Sequence, residues 1–394
     1  MYNDASKGAV IKVIGVGGAG SNAVANMIAA NVNATSFAAV NTDLQALSLS
    51  PAEVKIQIGV ECTKGLGAGS NPDVGEKAAE ETKDTLLEFI QGTDLLFIAA
   101  GMGGGTGTGA APVIARLAKE LGILTVAVVT KPFSFEGRVR NENAVKGIAN
   151  LKKHVDTLVV IPNDKLIQVL PASMAFVDAF KVADDLLKQG ISGIVDLITT
   201  PSHINLDFAD ISTIMRHQGL AHMGIGVAKG ENRIVEAVRQ AVSSPLLETT
   251  IEGARGVILN VAGGKSLGIG EVSDAANLVR SIIDESANII FGTTLDESLG
   301  EEVKITVIAT GFNSIVEENK VSDFNKNDFI QPNRGSVEVP FAFELEKETP
   351  TEEVVEEVAQ KEEEIIVQPE PIVEEPVEKK KELPAFMKKL FGKK

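Results

Sequence analysis

The stretch Gly103-Gly-Gly-Thr-Gly-Thr-Gly109 decides how this chain of 394 residues is interpreted. It lies between an apolar run, 94–100, that predicts a buried strand, and a run with helical spacing of apolar residues, 110–119. Glycines bring backbone N–H groups close to an anion, and a helix N-terminus carries partial positive charge. The stretch therefore predicts a phosphate-binding turn, with the Thr106 and Thr108 hydroxyls as further donors. A flexible linker would have no reason to lie between a strand and an amphipathic helix.

A second glycine-rich turn follows the first predicted strand. Gly15, Gly17 and Gly20 fit the pattern GxGxxG, and Asp43 follows the next predicted strand, where a dinucleotide-binding fold would hold a ribose. These features alone leave open an NAD(P)-binding oxidoreductase of the Rossmann type, which does not explain a second glycine turn on a later strand. Two turns facing one crevice suit a triphosphate. Because the sequence has no GxxxxGK[ST] pattern, backbone amides and Mg²⁺ would have to meet the phosphate charge.

Strand-like and helix-like segments alternate through the first half of the chain. This alternation predicts an α/β fold with a doubly wound, mostly parallel sheet, whose strands lie near 10–16, 36–41, 94–100, 123–129 and 157–162. A long helix is predicted over 177–198. Beyond it we expect a smaller mixed-sheet α/β domain, with helices at 207–218, 231–243 and 271–286 and strands at 222–229, 255–262, 287–292 and 303–311.

Several stretches match a known family in order along the chain. Besides the glycine turns they are PFSFEGRVR at 132–140, IPNDK at 161–165, AFKVAD at 179–184, NLDFAD at 205–210 and LPAF at 383–386. Together they resemble the FtsZ family of bacterial tubulin-like cell-division GTPases, over about 8–312 and again 382–391. The first turn departs from the family's glycine-rich form at Ala19 and Ser21, which are both small. The resemblance implies a GTP-binding domain at 1–172, a central helix at 173–203 and a C-terminal activation domain at 204–312.

The resemblance also implies a set of nucleotide-binding residues. Glu136 and Arg140 would contact the ribose, and without the resemblance they would be an ordinary surface ion pair. Asp184 can accept two hydrogen bonds from a guanine edge, Phe180 can stack on the base, and Asn163 is a further base contact. The full set is Gly18, Ala19, Gly20, Ser21, Asn22, Gly105, Thr106, Gly107, Glu136, Arg140, Asn163, Phe180 and Asp184. The expected ligands are GTP and GDP, with Mg²⁺ bound through the phosphates and no metal site made by side chains.

The acidic stretch around Asp207 and Asp210 is the candidate for catalysis. Hydrolysis of a phosphoanhydride needs polar groups that orient water, and Asn205, Asp207 and Asp210 have that chemistry. By resemblance they act on the GTP of the next subunit in a head-to-tail polymer, so that assembly and hydrolysis are one event. From the sequence alone, Asp207 and Asp210 would be helix N-capping acids, the commoner role of such residues, and Asp207 lies where a cap would. A GTP-binding scaffold that polymerises without turnover is a second alternative, which the presence of Asp207 and Asp210 disfavours.

Composition limits the other classes of function. The one cysteine, Cys62, excludes an internal disulfide and fits a reducing cytosol, and the four histidines match no metal-ligand spacing. No apolar run approaches the ~20 residues of a membrane span, and a signal-peptide pattern is lacking, so we expect a cytoplasmic protein. Residues 1–343 are acidic and gather no basic patch, which argues against nucleic acid as a partner.

Charge separates the C-terminal part into two segments. Residues 344–378 hold 14 Glu and 2 Lys, whereas 379–394 hold 7 Lys and 1 Glu. We expect 313–381 to be a disordered acidic linker. The peptide 382–394 has apolar residues at helical spacing and predicts a short docking helix. By resemblance it binds membrane-anchoring and regulatory division proteins such as FtsA, so that membrane contact is mainly indirect and the protein acts at mid-cell.

Overall fold

The computed structural model describes residues 8–170, 173–199, 207–244, 251–284 and 286–312. Within these ranges the chain forms twelve α-helices, ten strands and two 3₁₀ turns. The predicted linker 313–381, the predicted peptide 382–394 and Asn205 lie outside the described residues. Among the helices described, none combines the length and the apolar character needed to cross a membrane.

The first half of the chain alternates strands and helices, as predicted. Its elements are β1 Ile11–Val16, α1 Gly17–Ala29, β2 Ser36–Asn41, α2 Leu44–Ser48, β3 Val54–Gln57, α3 Val60–Thr63, α4 Pro72–Glu81, α5 Lys83–Ile90, β4 Leu95–Gly101, α6 Thr106–Glu120, β5 Leu124–Lys131, a 3₁₀ turn Ser134–Glu136, α7 Arg138–Lys152, β6 Thr157–Pro162, α8 Asn163–Val169 and α9 Phe176–Thr199. The six strands lie in the order β3-β2-β1-β4-β5-β6, and every neighbouring pair is parallel. The doubly wound sheet is therefore confirmed.

Two cores cover the two faces of this sheet. Successive side chains of a strand point to opposite faces, so Val13 and Phe97 belong to one core while their neighbours Ile14 and Ile98 belong to the other. The first core is completed by α1 and α9, and the second by α4, α5, α6 and α7. Burial on both faces explains why these strands are continuous apolar runs rather than alternating ones.

The second half of the chain forms a smaller mixed sheet. Its elements are α10 Phe208–Met215, β7 Gly219–Lys229, α11 Arg233–Val242, β8 Gly256–Gly263, α12 Ile269–Arg280, β9 Asn288–Leu295, a 3₁₀ turn Glu297–Leu299 and β10 Glu302–Thr310. The strand order continues β7-β10-β8-β9, where β10 is antiparallel to both neighbours and β8 is parallel to β9. The start of β7, residues 219–221, pairs with β6, and the rest pairs with β10. This strand therefore joins the two halves.

Several predicted boundaries were wrong. The helix predicted over 207–218 ends at Met215, because His217 and Gly219 have positive φ (59° and 69°) and β7 begins at Gly219. Asp156 holds this bend, since its carboxylate accepts the His217 N–H at 3.2 Å. The helix predicted over 271–286 ends at Arg280. Strand β3 was missed, because it has only four residues.

Candidate functional site

The two glycine turns lie side by side at one edge of the parallel sheet. They follow β1 and β4, which are neighbours in the strand order although two strands and five helices lie between them in the sequence. From β1 the chain winds towards β3, and from β4 it winds towards β6, so helices leave this edge towards opposite faces. Ligands of doubly wound sheets bind at such a crevice. A cleft of about 210 Å³ lies here, as the two predicted turns require.

The glycine-rich stretches are helix N-termini rather than free loops. Residues 17–22 form the first turns of α1, and 106–109 form the first turn of α6. Neither helix has a side-chain cap or an acidic residue in its first turn. The N–H groups that begin a helix have no partner inside it, and the helix dipole adds positive potential there. Both helices therefore present an anion site to the cleft.

The glycines at two positions are needed for close packing. A β-carbon on Gly20 would lie 2.3 Å from the Ala99 carbonyl oxygen, and one on Gly107 would lie 2.7 Å from the Gly101 carbonyl oxygen. These contacts let α1 and α6 approach β4. Gly20 and Ser21 were predicted to bind nucleotide, but both are buried and neither lines the cleft. Their contact with a ligand stays a prediction.

Most of the predicted nucleotide-binding residues line this one cleft. They are Gly18, Ala19, Gly105, Thr106, Gly107, Glu136, Arg140, Asn163, Phe180 and Asp184. Sequence reasoning missed other lining residues, among them Met102, Thr130, Pro132 and Ala183. The missed side chains carry no distinctive chemistry, so only the fold could have identified them.

Glu136 and Arg140 form an ion pair at the rim of the cleft. One carboxylate oxygen of Glu136 lies 3.0 Å from Arg140 Nε, and the other accepts the Phe133 N–H at 2.9 Å. The Glu136 side chain is only 12% exposed, against 47% for Arg140. The surface ion pair therefore exists, but it is anchored to the backbone and faces the cleft, where it can meet a polar ligand.

Asn163 places a buried polar atom in the cleft, without a partner in the part of the chain that the structure describes. It is 5% exposed, it lines the cleft, and its Oδ1 has no hydrogen-bond partner among the described residues. A buried polar atom without a partner costs about 1–3 kcal/mol. A ligand that donates a hydrogen bond here would remove that cost, as a nucleobase would.

Asp184 also lines the cleft and lies on α9, one helical turn after Phe180. Burial raises the pKa of its carboxyl to about 7; a hydrogen bond from the Asn22 side chain lowers this pKa and the charge of Asp185 raises it. Asn22 does not line the cleft, so its observed role is to support Asp184. The carboxyl is thus close to half-ionised at neutral pH.

Aromatic rings pack around Phe180 at one side of the cleft. The Phe180 ring packs edge-on against Phe133 at 5.2 Å and against Phe176 at 5.1 Å between ring centroids. Phe135 completes the group through contacts with Phe133 at 4.9 Å and Phe176 at 5.5 Å. These contacts fix the Phe180 ring beside the cleft, where a planar base could stack.

A third glycine-bearing segment, 64–71, was missed by the sequence reasoning. It lies against the second turn: a β-carbon on Gly105 would be 2.7 Å from the Ala68 β-carbon and 3.0 Å from the Asn71 nitrogen. Gly65, Gly67 and Gly69 all have positive φ, at 77°, 86° and 59°. These alternating glycines were the signal that could have identified the segment.

Two predicted polar roles differ in the structure. The Thr108 hydroxyl was expected to face a phosphate, but it accepts the Gly103 N–H at 2.8 Å and is buried, so it holds the turn instead. Thr106 does line the cleft, and its hydroxyl lies 2.7 Å from that of Thr42. Asp43, the acid of the dinucleotide pattern, caps α2 by accepting the Ala46 N–H at 3.1 Å.

The predicted catalytic acids lie elsewhere. Asp207 and Asp210 are exposed at the N-terminus of α10 and do not line the cleft. They form a reciprocal cap, in which Asp207 Oδ1 accepts the Asp210 N–H at 2.8 Å and Asp210 Oδ2 accepts the Asp207 N–H at 3.4 Å. The helix-cap interpretation is therefore correct for the single chain, and a catalytic role stays a prediction.

Side chains alone do not form a metal site in the described ranges. These residues contain no cluster of three or more His, Cys, Asp or Glu side chains that could hold a metal ion. The open helix N-termini fit an anionic ligand that brings its own cation.

Comparison with known proteins agrees with this geometry. Residues 10–171 match the family model of the Tubulin/FtsZ GTPase domain, and residues 219–313 match that of the FtsZ C-terminal domain. An empty FtsZ dimer from M. jannaschii is 45% identical, with a TM-score of 0.75, and the match covers 78% of this chain and 89% of that one.

Two more distant structures share the fold. The GDP-bound CetZ1 monomer from Haloferax volcanii is 23% identical, with a TM-score of 0.67 and coverage of 78% of this chain and 95% of that one. The GTPγS-bound CetZ2 protofilament from the same organism is 20% identical, with a TM-score of 0.67 and coverage of 77% and 93%.

Proposed function

The chain belongs to the Tubulin/FtsZ family of GTPases, and on that basis we propose that it is a GTP-dependent, self-assembling cytoskeletal protein of cell division. It hydrolyses GTP to GDP and phosphate and polymerises head to tail into filaments of the division ring at the future septum. The observation that carries the proposal is that most of the predicted nucleotide-binding residues line one cleft, where β1 and β4 end. The matches give no support to the Rossmann-type oxidoreductase.

GTP would lie along the cleft from the helix N-termini to α9. The phosphates would receive N–H groups of α1 and α6 and the Thr106 hydroxyl, and the ribose would meet Glu136 and Arg140. The guanine would stack on Phe180 and bond to Asp184 and Asn163. The backbone N–H groups carry no net charge, so they cannot neutralise the phosphates. Mg²⁺ bound to the phosphates would neutralise part of that charge.

Hydrolysis would require a second copy of the chain. Among the described residues that line the cleft, the only carboxylates are Glu136 and Asp184, and both are assigned to other parts of the nucleotide. Asp207 and Asp210, with Asn205, would come from the neighbouring subunit and orient the attacking water. The M. jannaschii FtsZ dimer among the similar structures supports self-association.

Sedimentation with GTP, GDP and ATP, combined with phosphate release, tests the assembly and the turnover together. We expect polymer and phosphate with GTP only. Polymer without phosphate would favour the non-hydrolysing scaffold. Binding of a nicotinamide cofactor in competition with a fluorescent guanine nucleotide would favour the oxidoreductase.

Mixing two inactive variants tests catalysis between subunits. Asp210→Ala retains the cleft, and a Gly105→Leu variant, in which the side chain would clash with Ala68 and Asn71, retains the acids. In a mixed filament the first binds GTP and the second supplies Asp207 and Asp210. Turnover above the sum of the separate variants is expected. A mixture no more active than that sum, with co-assembly verified, would contradict catalysis in trans.

The remaining roles are proposed from the sequence. The GTP-binding domain would span 1–172, the central helix 173–203 and the activation domain 204–312. The linker 313–381 would tether the peptide 382–394, which would bind membrane anchors such as FtsA. The protein would act in the cytoplasm at mid-cell, with itself and these proteins as partners and without nucleic acid.

A further inference from the structure

Two buried threonines hold the C-terminal end of α10. The Thr157 hydroxyl donates to the Met215 carbonyl oxygen at 2.5 Å. The Thr310 hydroxyl donates to the Ile214 carbonyl oxygen at 3.1 Å and shares its proton with the Gly256 carbonyl oxygen of β8 at 3.2 Å. Both threonines are 0% exposed. The last carbonyls of a helix have no partner within the helix, so these hydroxyls satisfy groups that would otherwise be buried without a hydrogen bond.

The two hydroxyls come from different halves of the fold. Thr157 begins β6 of the parallel sheet, whereas Thr310 ends β10 of the mixed sheet. Thr310 also lies close to Gly256 of β8, because a β-carbon on Gly256 would lie 2.6 Å from the Thr310 hydroxyl oxygen. The α10 helix is therefore fixed to both sheets at one end, while Asp207 and Asp210 lie exposed at the other.

We propose that Thr157 and Thr310 are positioning residues for GTP hydrolysis, which set the direction of α10 and with it the placement of Asp207 and Asp210 on the neighbouring subunit. This inference rests on the proposed function. An eight-residue helix is about 12 Å long, so a tilt of about 5° at the fixed end moves its N-terminus by about 1 Å. A misplacement of that size can lower a reaction rate by roughly 100-fold.

Packing alone does not set this direction. The buried side chains Ile211, Ile214 and Met215 hold α10 in a core that spans both sheets. Apolar packing is not directional, whereas a hydrogen bond to a carbonyl fixes both distance and angle. The hydroxyls can thus be removed without removing the apolar contacts, which makes the two contributions separable.

The experiment replaces each hydroxyl by a methyl group. Thr157→Val and Thr310→Val keep the size and shape of the side chain, and Thr157→Ser and Thr310→Ser keep the hydroxyl. Thr306→Val is the matched control, because Thr306 is also buried on β10, with its methyl group 3.3 Å from the β-carbon position of Gly193 on α9. GTP affinity, kcat for phosphate release per sedimented protein, and Tm are measured for each variant.

We expect the two valine variants to lose roughly 10-fold or more in kcat with unchanged GTP affinity, since neither threonine lines the cleft. The serine variants should recover most of that loss, and Thr306→Val should retain kcat. Valine variants with a lower Tm but normal kcat, or serine variants as slow as the valines, would overturn the inference. If Asp210→Ala itself hydrolyses GTP normally, the proposed catalytic role fails instead.

Discussion

Guanine binding at Asp184 should depend on pH near neutrality. An ionised carboxylate accepts hydrogen bonds from both donors of the guanine edge, whereas the protonated acid places a donor against one of them. Burial raises the pKa of this carboxyl to about 7, so below pH 7 most molecules must lose a proton when they bind guanine. Affinity is therefore highest well above pH 7, where the carboxyl is ionised, and is lost as the pH falls through about 7.

The expected size follows from the ionised fraction. With a pKa of about 7, roughly nine-tenths of the Asp184 carboxyls are ionised at pH 8 and roughly one-tenth at pH 6. Apparent affinity scales with the population of the competent form. GDP should therefore bind about 10-fold more weakly at pH 6 than at pH 8, a difference of about 1.4 kcal/mol.

Titration with a fluorescent GDP analogue from pH 6 to 8 measures this effect. The nucleotide's own phosphate also titrates, with a pKa near ~6, so the comparison is with Asp184→Asn, which lacks the titrating group but meets the same phosphate. Asp184→Asn should bind more weakly at pH 8 and depend less on pH. Asp178→Asn, which breaks an ion pair with Lys181 on the same helix, serves as the control and should follow the wild-type profile.

Parallel pH profiles for the wild type and Asp184→Asn would refute the reasoning. The hydrogen bond from Asn22 adds a second check, because it lowers the pKa of Asp184. Asn22→Ala should therefore move the wild-type midpoint to higher pH. If the midpoint of the Asn22→Ala variant moves to lower pH instead, the hydrogen bond from Asn22 does not lower the pKa of Asp184.

Three further perturbations test other parts of the proposal. Thr106→Ala should weaken GTP binding by about 1–2 kcal/mol, because it removes a donor to a charged group, and Thr106→Ser should restore the affinity. Equilibrium titration with GTP measures both variants, and equal affinities for the alanine and serine variants would contradict the role of the hydroxyl. Asn163→Ala should weaken GTP binding without lowering the Tm measured without nucleotide, since its Oδ1 has no partner to lose among the described residues; a large fall in Tm would assign it a structural role. Removal of 382–394 should leave GTP-driven sedimentation intact and abolish capture of a purified FtsA-type anchor, whereas loss of assembly would make the peptide part of the polymer.

The sequence predicted those features that depend on local chemistry. Glycine turns after two apolar strands predicted a cleft at the edge of a parallel sheet, and the strand order β1-β4 brought the turns together as expected. Long apolar strands and the amphipathic α9 were predicted close to their observed bounds. Each of these signals repeats over many residues, so a single exception does not hide it.

The missed features depend on contacts between distant parts of the chain. Thr108 faces Gly103 rather than a ligand because the first turn of α6 begins at Thr106, which spacing alone did not indicate. The end of α10 is set by Asp156, about 60 residues earlier in the chain. The segment 64–71 has the glycine signal, but its approach to Gly105 exists only in the folded chain.

The two acids of α10 should differ in what they contribute. Asp207 makes the shorter cap bond, 2.8 Å against 3.4 Å, so its loss removes most of the cap and should cost about 1 kcal/mol of stability. Asp210 is the freer carboxylate and is better placed to meet water on a neighbouring subunit. Asp210→Ala should therefore slow phosphate release with little change in Tm, and Asp207→Ala should lower the Tm as well.

Asp207→Asn separates the cap from the charge, because asparagine caps a helix as well as aspartate does. It should keep the wild-type Tm. If the Asp207 charge also serves catalysis, this variant is slow despite its normal stability; if Asp207 only holds the helix, it hydrolyses GTP at the normal rate. Should Asp210→Ala lower the Tm as much as Asp207→Ala while both release phosphate normally, the pair is a helix cap and the water-orienting group must be sought elsewhere.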